Sequence, residues 1–474
     1  MMVPSENISR QRGAALILLM LIVIVASTTV LLANVNRDDV RTRRMSDTQA
    51  LLAEAKQALL QYAVLNPDMN PGRSFSLPCP DIDASGGLPE GVAHTSNCGA
   101  QGASVIGRLP WRTLGIAAPR DGASECLWYV VSGSFKDAGA ATATMINSDT
   151  NGQLQLVSLD SGTVLEGVQP QDRPAAMVIA AMQPVAGQTR PATVAGSQCS
   201  PGFLPADFLD SDSGISNATI SGVADGVDAF ATYSGIEASH NDRIITVSRA
   251  EIAARIAGRP DFDSDMRDLG LAIAACVANY ATTNPGGAND RRLPWPAGVA
   301  LADYRDDTDY DDLDNSMFSG RVPDIADDSN AATGNAVGRV LTDCDPLQVP
   351  QWSPAMHSLW QDWKDHFFYA VAESHLPTAA VPSSCSNCLS VNGAGQYAAL
   401  VLFSGQRLDT LGQVRNAPPT DADTKRDVVN FLEGSNAASI PGPGASLDYS
   451  SQPVSTTFND RIFCIDDSLV VSEC

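Results

Sequence analysis

Histidine and the familiar catalytic signatures are scarce in this chain. Five histidines occur in 474 residues, and no stretch contains the GxSxG turn of a serine hydrolase, the HExxH helix of a zinc peptidase or the phosphate-binding loop of a nucleotide hydrolase. Those patterns place a nucleophile, a metal or a phosphate beside the groups that activate it. Their absence argues against these classes, and the sequence predicts that the protein is not an enzyme.

An excess of positive charge is missing as well. The chain has 30 Lys and Arg against 54 Asp and Glu, a formal net charge of −24. Nucleic acids and anionic lipid headgroups attract basic surfaces, so neither is expected as a partner. The acidic balance suits a soluble surface outside the cytoplasm.

A second long apolar run is also missing, so the chain crosses a membrane once at most. Residues 14–32 carry no charge and consist mainly of Leu, Ile, Val, Met and Ala. About 20 such residues span roughly 30 Å as a helix. A secretory signal peptide has a shorter apolar region, about 7–15 residues, before a small-residue cleavage site, whereas residues 30–32 are Val-Leu-Leu. We therefore expect a retained transmembrane helix over residues 14–35.

The stretch after the apolar run predicts an aqueous continuation of the same helix. Leu52, Ala55 and Leu59 fall at helical spacing, as in a helix that buries one face. No proline or glycine interrupts residues 14–65. The sequence therefore predicts one long helix that ends at Asn66, because a proline follows.

The N-terminus resembles that of type IV pilins and of the pseudopilins of type II secretion. A short basic leader ends in Gly13, and the apolar helix begins directly after it. The resemblance implies that a prepilin peptidase cuts after Gly13 and that Ala14 becomes the methylated N-terminus. It also implies that the retained helix packs against other pilin or pseudopilin subunits. Residues 1–13 are then a cytoplasmic leader of a single-pass inner-membrane protein.

Two positions depart from the pattern of major pilins. Ala14 stands where most have Phe, and Leu18 stands where most have a Glu that pairs with the terminal amine of a neighbouring subunit. An unpaired charge in an apolar bundle is costly, so a subunit without this acid suits a place with no such neighbour. The start RGAALILLML is similar to that of the pseudopilin at the filament tip, which implies a minor subunit at or near the tip.

Cysteine is absent from the leader and the apolar run, and ten cysteines follow. An even number on one side of a membrane favours a disulfide-permissive compartment. This places the bulk of the chain in the periplasm, although the arginines that flank the apolar run favour the opposite orientation. We expect Cys79 to pair with Cys98 and Cys464 to pair with Cys474.

The CSNC segment holds Cys385 and Cys388 at a spacing that redox and zinc sites share. It lies in a predicted loop, with no helix N-terminus to lower a thiol pKa. A zinc site needs another close Cys/His pair, and none is present in the neighbouring sequence. We therefore expect a structural disulfide.

Two halves of the chain repeat short segments in the same order. The matched pairs are LLQYAVLNP with CVANYATTNP, LPCPD with LPWPA, LWYVV with FFYAV, AAMVIAAMQPVAGQTR with AALVLFSGQRLDTLGQVR, and HNDRIITVS with FNDRIFCID. Five matches in order indicate a duplicated module, with periplasmic domains at residues 36–258 and 265–474.

The order of elements within each copy predicts the fold class. Each copy opens with a helix and continues with strand-like runs such as AAMVIAA, YAALVLFS and DRIITVS, which are short and β-compatible. Helix first and sheet later is an α+β order. The expected fold is a long N-terminal helix, half transmembrane and half aqueous, packed on antiparallel sheet. The resemblance to pilins implies the same packing in a duplicated pilin-like module.

Two acidic segments are candidate calcium loops. Asp81 and Asp83 lie in DIDASGG, and Asp307, Asp309 and Asp311 alternate in DYRDDTDYDDLDN, a pattern that suits oxygen ligation of Ca²⁺. Neither segment has the closing Glu of an EF-hand. Solvated acidic loops are the favoured interpretation of the residues, and the resemblance to tip-type pseudopilins, some of which carry calcium loops, keeps calcium as the alternative.

An aromatic stripe lies in SPAMHSLWQDWKDHFFYAV. Ser353 is a predicted helix N-cap, and Trp360 and Trp363 recur on one helical face, so core packing is expected rather than a sugar-binding platform. Asp362 and His366 stand one turn apart and are expected to form a surface pair.

Two functions remain open on the sequence alone. The first is a minor pilin-like or pseudopilin-like structural subunit of a type IV pilus or a type II secretion-like filament, at or near its tip. The second is a periplasmic module, tethered to the inner membrane, that binds a glycan or protein partner and does not enter a filament.

Overall fold

The structure is a computed structural model of the chain. It describes residues 11–69, 75–82, 88–94, 98–137, 145–192, 196–199, 202–235, 239–283, 291–312, 317–326, 338–377, 385, 387–417, 422–440 and 447–474. The side chains of residues 11–15, 28–39, 67–69 and 283 lie outside the described part.

The described residues form a mixed α+β fold, as the sequence predicts. The helices are α1 (Gln11–Met69), α2 (Arg249–Ala257), α3 (Phe262–Thr283), α4 (Pro354–Trp363) and α5 (Gly434–Ala438). The strands before α3 are β1 (Val105–Arg108), β2 (Trp128–Val131), β3 (Leu154–Ser158), β4 (Val164–Glu166), β5 (Ala176–Ala180), β6 (Ser211–Asp212), β7 (Ile215–Ser216), β8 (Asp228–Thr232) and β9 (Arg243–Val247). The strands after α3 are β10 (Ser319–Arg321), β11 (Ile325–Ala326), β12 (Gly338–Arg339), β13 (Phe367–Val371), β14 (Leu389–Val391), β15 (Ala394–Phe403), β16 (Asp448–Tyr449), β17 (Arg461–Asp466) and β18 (Val471–Glu473).

The part of the chain before α3, here the first half, is built on an antiparallel sheet of order β1-β2-β5-β9. Side chains alternate between the two faces of a strand. Tyr129 and Val178 therefore pack towards α1, in the large core. Trp128 and Met177 pack on the opposite face with Phe208. Both faces are covered, which explains why β2 and β5 are apolar and buried along their whole length.

The part from α3 onward, here the second half, contains a sheet with the same pattern. β10, β13, β15 and β17 pair antiparallel in that order, and α3 contacts β15 and β17 as α1 contacts β5 and β9. Each half also has one parallel pair, but in different places: β3 with β8 lies in a separate three-stranded sheet, whereas β14 with β16 is part of the seven-stranded main sheet of the second half. The two halves therefore share strand order, pairing direction and the position of the packed helix.

One continuous core joins the two halves. Leu59 of α1 and Ile273 of α3 are both fully buried in the same cluster. Trp360 and Trp363 of α4 belong to it as well, and the Oγ of Ser353 accepts a hydrogen bond from the Met356 backbone N–H at 3.2 Å. The predicted N-cap and the predicted core role of the aromatic stripe are confirmed.

The predicted surface pair of Asp362 and His366 is wrong. Asp362 is 4 % exposed and His366 is fully buried. A loop of the first half covers this end of α4, since the Ile146 backbone N–H donates to Asp362 Oδ1 at 3.2 Å. Helical spacing alone does not reveal a distant segment that packs over a polar face.

The helix α1 has two parts with different surroundings. From Leu52 to Ala63 its apolar face lies in the core, whereas every side chain from Leu16 to Val25 is 54–64 % exposed. The helix continues three residues beyond its predicted end at Asn66. A proline removes one backbone hydrogen bond and crowds the preceding turn, and the helix stops within one turn of Pro67.

A search of the described residues for helices long and apolar enough to cross a membrane finds none. The surroundings of Gly13 and Ala14, the predicted processing position, lie outside the described part, as do the side chains of residues 28–35 of the predicted span.

Candidate functional site

A cluster of buried charged side chains joins the two halves. Asp149, in the loop before β3, accepts a hydrogen bond from Arg415 Nη1 at 3.0 Å, and its Oδ2 lies 2.7 Å from Nε2 of His366. Burial opposes ionisation of Asp149, but the positive charges of Arg415, His366 and Lys425 outweigh it and hold the pKa of Asp149 well below its usual value. One carboxylate of the first half, that of Asp149, thus contacts two basic side chains of the second half, those of Arg415 and His366.

A second carboxylate completes the cluster. Asp365 Oδ1 lies 2.9 Å from His366 Nδ1 and accepts from Asn147 Nδ2 at 2.9 Å, and its Oδ2 accepts from Lys425 Nζ. Burial again opposes ionisation, and the charge of Lys425 is the largest effect that lowers the pKa of Asp365. The imidazole of His366 is therefore held between two carboxylates, one from each half.

Two adjoining hollows open beside this cluster. The first has a volume of about 100 Å³ and is lined by residues that include Asp149, Tyr304, Arg415 and Lys425. The second has a volume of about 620 Å³ and is lined by acidic and basic side chains, namely Asp225, Asp303, Asp306, Asp307, Arg305 and Arg339. Both lie between the two halves. The lining of the larger hollow is mainly polar and charged, whereas that of the smaller one combines charged side chains with apolar surface. The larger hollow therefore suits a hydrophilic ligand.

Arg305 bridges the halves at the rim shared by the two hollows. Its Nε and Nη2 donate to the Asp303 carboxylate at 3.0 Å each, and its Nη1 donates to Asp225 of the first half at 3.2 Å. Because hydrogen bonds between a guanidinium and carboxylates are strong and directional, Arg305 holds the side chains of Asp303 and Asp225 in place.

The predicted calcium residues near the hollows have protein partners. Asp307 accepts from Lys364 Nζ and from Gln361 Nε2. Asp309 accepts from the Asp303 backbone N–H. These two acids lie in the loop that lines the larger hollow, and a lysine ammonium occupies one side of Asp307.

The remaining calcium candidates lie elsewhere in the chain. Asp311 is exposed, and its backbone pairs with that of Ile325. Asp81 is buried beside β1, where its Oδ2 accepts from the Gly91 backbone N–H at 2.7 Å. Asp83 lies outside the described residues. Calcium binding therefore stays a prediction.

All ten cysteines form disulfides. The pairs are Cys79–Cys98, Cys126–Cys199, Cys276–Cys344, Cys385–Cys388 and Cys464–Cys474. They include the pairs that the sequence analysis specified. Every pair joins residues of the same half, so the halves are held together by noncovalent contacts.

A buried pair of acids lies at the start of β9. Asp242 Oδ2 accepts from the Asp210 backbone N–H at 2.8 Å and from Asn217 Nδ2 at 2.9 Å. Asp210 Oδ2 in turn accepts from the Asp242 backbone N–H at 2.9 Å. Burial, and then the charge of Asp210, raises the pKa of Asp242 well above its usual value.

The second half repeats this arrangement at the start of β17. Asp460 Oδ2 accepts from the Glu433 backbone N–H at 3.0 Å and from Asn436 Nδ2 at 2.9 Å. Burial, and then the charge of Glu433, raises the pKa of Asp460 well above its usual value. The repeated NDR segment contains one acid of each pair, but the sequence analysis missed the partners because they lie outside the matched segments.

Comparison with known proteins finds no matching protein family, no matching curated protein and no matching solved structure.

Proposed function

We propose that this protein is a minor, pilin-like or pseudopilin-like subunit at the tip of a type IV pilus or a type II secretion-like filament. The observation that carries the proposal is the contrast within α1. One helix presents exposed apolar side chains from Leu16 to Val25 and buries the apolar face of its later part in an α+β head. An exposed apolar stripe of this kind needs a lipid or protein environment. The inner membrane and the filament interior would supply one in turn.

The head is proposed to consist of two copies of one module. The same strand order and the same buried acid–asparagine arrangement in both halves support this. A further repeated feature is a buried arginine between two aromatic rings. Arg108 lies 4.2 Å and 4.1 Å from the ring centres of Trp128 and Phe208, and Arg321 lies 4.8 Å from that of Phe368. Two unrelated domains would not be expected to share both the acid–asparagine arrangement and the buried arginine.

A tip position follows from two features. Leu18 gives the helix no acid with which to meet the terminal amine of a neighbouring subunit. The head is also large, since two modules are joined through one core. A head of this size at every level of a narrow filament would crowd its neighbours, whereas the tip has free space above it.

Localisation and copy number test the tip position. Antibodies against the second half should label filament ends, and quantitative mass spectrometry should find far fewer copies than of the major subunit. Deletion should reduce filament initiation or tip-dependent binding, and Leu18→Glu should change little. Label along the whole shaft, or a copy number equal to that of the major subunit, would contradict the proposal.

The hollows between the halves favour a second function, a tethered periplasmic binding module. Their volumes and charged linings suit a polar partner such as a glycan. In that case label would stay on the inner membrane and filaments would form normally after deletion. Glycan-array binding that Arg305→Ala abolishes, together with that localisation, would favour the binding module over the filament subunit.

A further inference from the structure

A mixed group of metal-ligand atoms surrounds the CSNC disulfide, away from the hollows. His375 follows β13, Cys385 precedes β14, and Asp467 begins the turn between β17 and β18. One ligand atom from each lies within 4.8 Å of the other two. The fold thus brings together a nitrogen, an oxygen and a sulfur from three separate segments.

Two of these atoms are already spaced as metal ligands. His375 Nε2 and Asp467 Oδ1 are 3.3 Å apart. Zinc bonds to His and Asp are about 2.0–2.2 Å long in tetrahedral sites, which puts two such ligand atoms roughly 3.3–3.5 Å apart. Both atoms are buried and face each other as an ion pair, and neither forms a well-aligned hydrogen bond within the described part of the chain. Buried polar atoms without hydrogen bonds are unusual, and an absent ion is one standard explanation.

The other ring nitrogen of His375 has a separate partner. Its Nδ1 lies 3.0 Å from Ser374 Oγ, and His375 itself is fully buried. Metal-binding histidines are oriented in this way by a contact to the second nitrogen. The neutral ring, which has one nitrogen free of a proton, is the form that binds metals.

Cys388 supplies a fourth ligand atom, since its sulfur is bonded to that of Cys385. Two cysteines at C-x2-C spacing form half of many zinc sites. This disulfide is also open to reduction, because Cys385 and Cys388 are both partly exposed. In each of the other four disulfides at least one cysteine is buried.

We propose that opening the Cys385–Cys388 disulfide creates a zinc site with His375, Asp467, Cys385 and Cys388 as ligands. A dithiol or phosphine reductant supplies two electrons and is oxidised, and the S–S bond becomes two thiols. Zn²⁺ then binds both as thiolates, and two protons are released. Arg291, whose Nη1 lies 3.8 Å from Asp467 Oδ2, offsets part of the negative charge of two thiolates and a carboxylate around the ion.

The oxidised and reduced states would then have different roles. With the disulfide closed, the sulfurs are poor ligands and the site holds no metal firmly. With the disulfide open, zinc would link the loop that holds Cys385 and Cys388 to the β17–β18 turn that holds Asp467. The segment becomes a thiol-dependent metal switch, independent of whether the protein enters a filament.

Cobalt(II) tests the site, because thiolate ligation and tetrahedral geometry give it distinctive absorption bands. The full chain is treated with limiting phosphine reductant until two thiols appear per molecule, and mass mapping confirms that these are Cys385 and Cys388. We expect one tightly bound cobalt, displaced by zinc, with bands of a tetrahedral site containing two thiolates. Affinity should fall at least tenfold in His375→Gln and Asp467→Asn, and remain unchanged in the control His357→Gln.

The absence of these bands in the wild type with both thiols free would overturn the proposal. So would unchanged bands in Cys385→Ser/Cys388→Ser. Zinc protection provides an independent measurement on the wild type, which does not depend on the folding of that variant. Bound zinc should slow alkylation of Cys385 and Cys388 at least tenfold, and equal alkylation rates with and without zinc would contradict the site.

Discussion

His366 and Asp149 belong to different halves of the chain, and their side chains lie 2.7 Å apart with both residues buried. Arg415 of the second half reaches the same carboxylate oxygen. A buried charge that loses its partner is strongly destabilising, whereas an exposed ion pair contributes little. The contact therefore makes Asp149 the acid on which the junction of the halves depends most.

Replacement of Asp149 tests this dependence. Asp149→Ala leaves the charge of Arg415 buried without this carboxylate and should lower the free energy of unfolding by about 3–5 kcal/mol. The matched control is Asp409→Ala, which removes an acid that is 80 % exposed and pairs with Arg407. It should cost less than about 1 kcal/mol. Denaturant unfolding under non-reducing conditions measures both, and equal losses would show that the buried cluster contributes no more than a surface pair.

The pH dependence of stability should carry the signature of the two raised carboxyl groups. The pKa values of Asp242 and Asp460 are raised in the folded chain, so folding favours their protonated forms. The stabilisation is fully present below the unfolded value of about 4 and is lost as the pH rises through the folded values. Asp149 has a lowered pKa, and its contribution is instead lost as the pH falls.

Neutral replacements isolate the raised groups. In Asp242→Asn and in Asp460→Asn, the free energy of unfolding should fall less than in the wild type between about pH 5 and about pH 8. The control is Asp409→Asn, which makes the same change in charge at an exposed acid. Unfolding curves across this range provide the measurement, and parallel pH profiles for wild type and both variants would contradict the assignment.

Two glycines at matching positions test the similarity of the halves. A Cβ at Gly107 of β1 would lie 2.7 Å from the Asp81 carbonyl oxygen, and one at Gly320 of β10 would lie 2.1 Å from that of Ala297. Backbone atoms cannot move aside cheaply, so Gly107→Ala and Gly320→Ala should each cost about 1–3 kcal/mol. Gly258→Ala, where the nearest atom is 3.3 Å away, should cost less. If only one of the first two variants is destabilised, the halves differ at this contact.

Part of this structure is visible in the sequence because apolar periodicity records burial. The runs AAMVIAA and DRIITVS contain β5 and β9, and YAALVLFS covers most of β15. The spacing of Leu52 and Leu59 identifies the face of α1 that enters the core. Strands and helices that bury a face must repeat apolar residues at periods of 2 or 3.6. Apolar periodicity therefore predicts where strands and helices occur and which of their faces are buried.

Long-range polar contacts have no such signal. Asp149 meets His366, and His375 meets Asp467, only because separate segments are folded together. The spacing of Asp362, in α4, and His366, three residues after its end, predicts a surface pair, since nothing nearby in the sequence shows that the first half covers them. For the same reason the sequence does not indicate the group around Cys385, because His375 follows β13 and Asp467 lies in the turn between β17 and β18.

The mature N-terminus tests the central claim most directly. The account predicts that intact-mass and N-terminal peptide spectra of the protein from cells with prepilin peptidase begin at Ala14, carrying one added methyl group. Cells without the peptidase, and the variant Gly13→Glu, should yield the precursor that begins at Met1. A wild-type chain that begins at Met1 in the presence of the peptidase, or beyond Leu32, would contradict the pilin-like account.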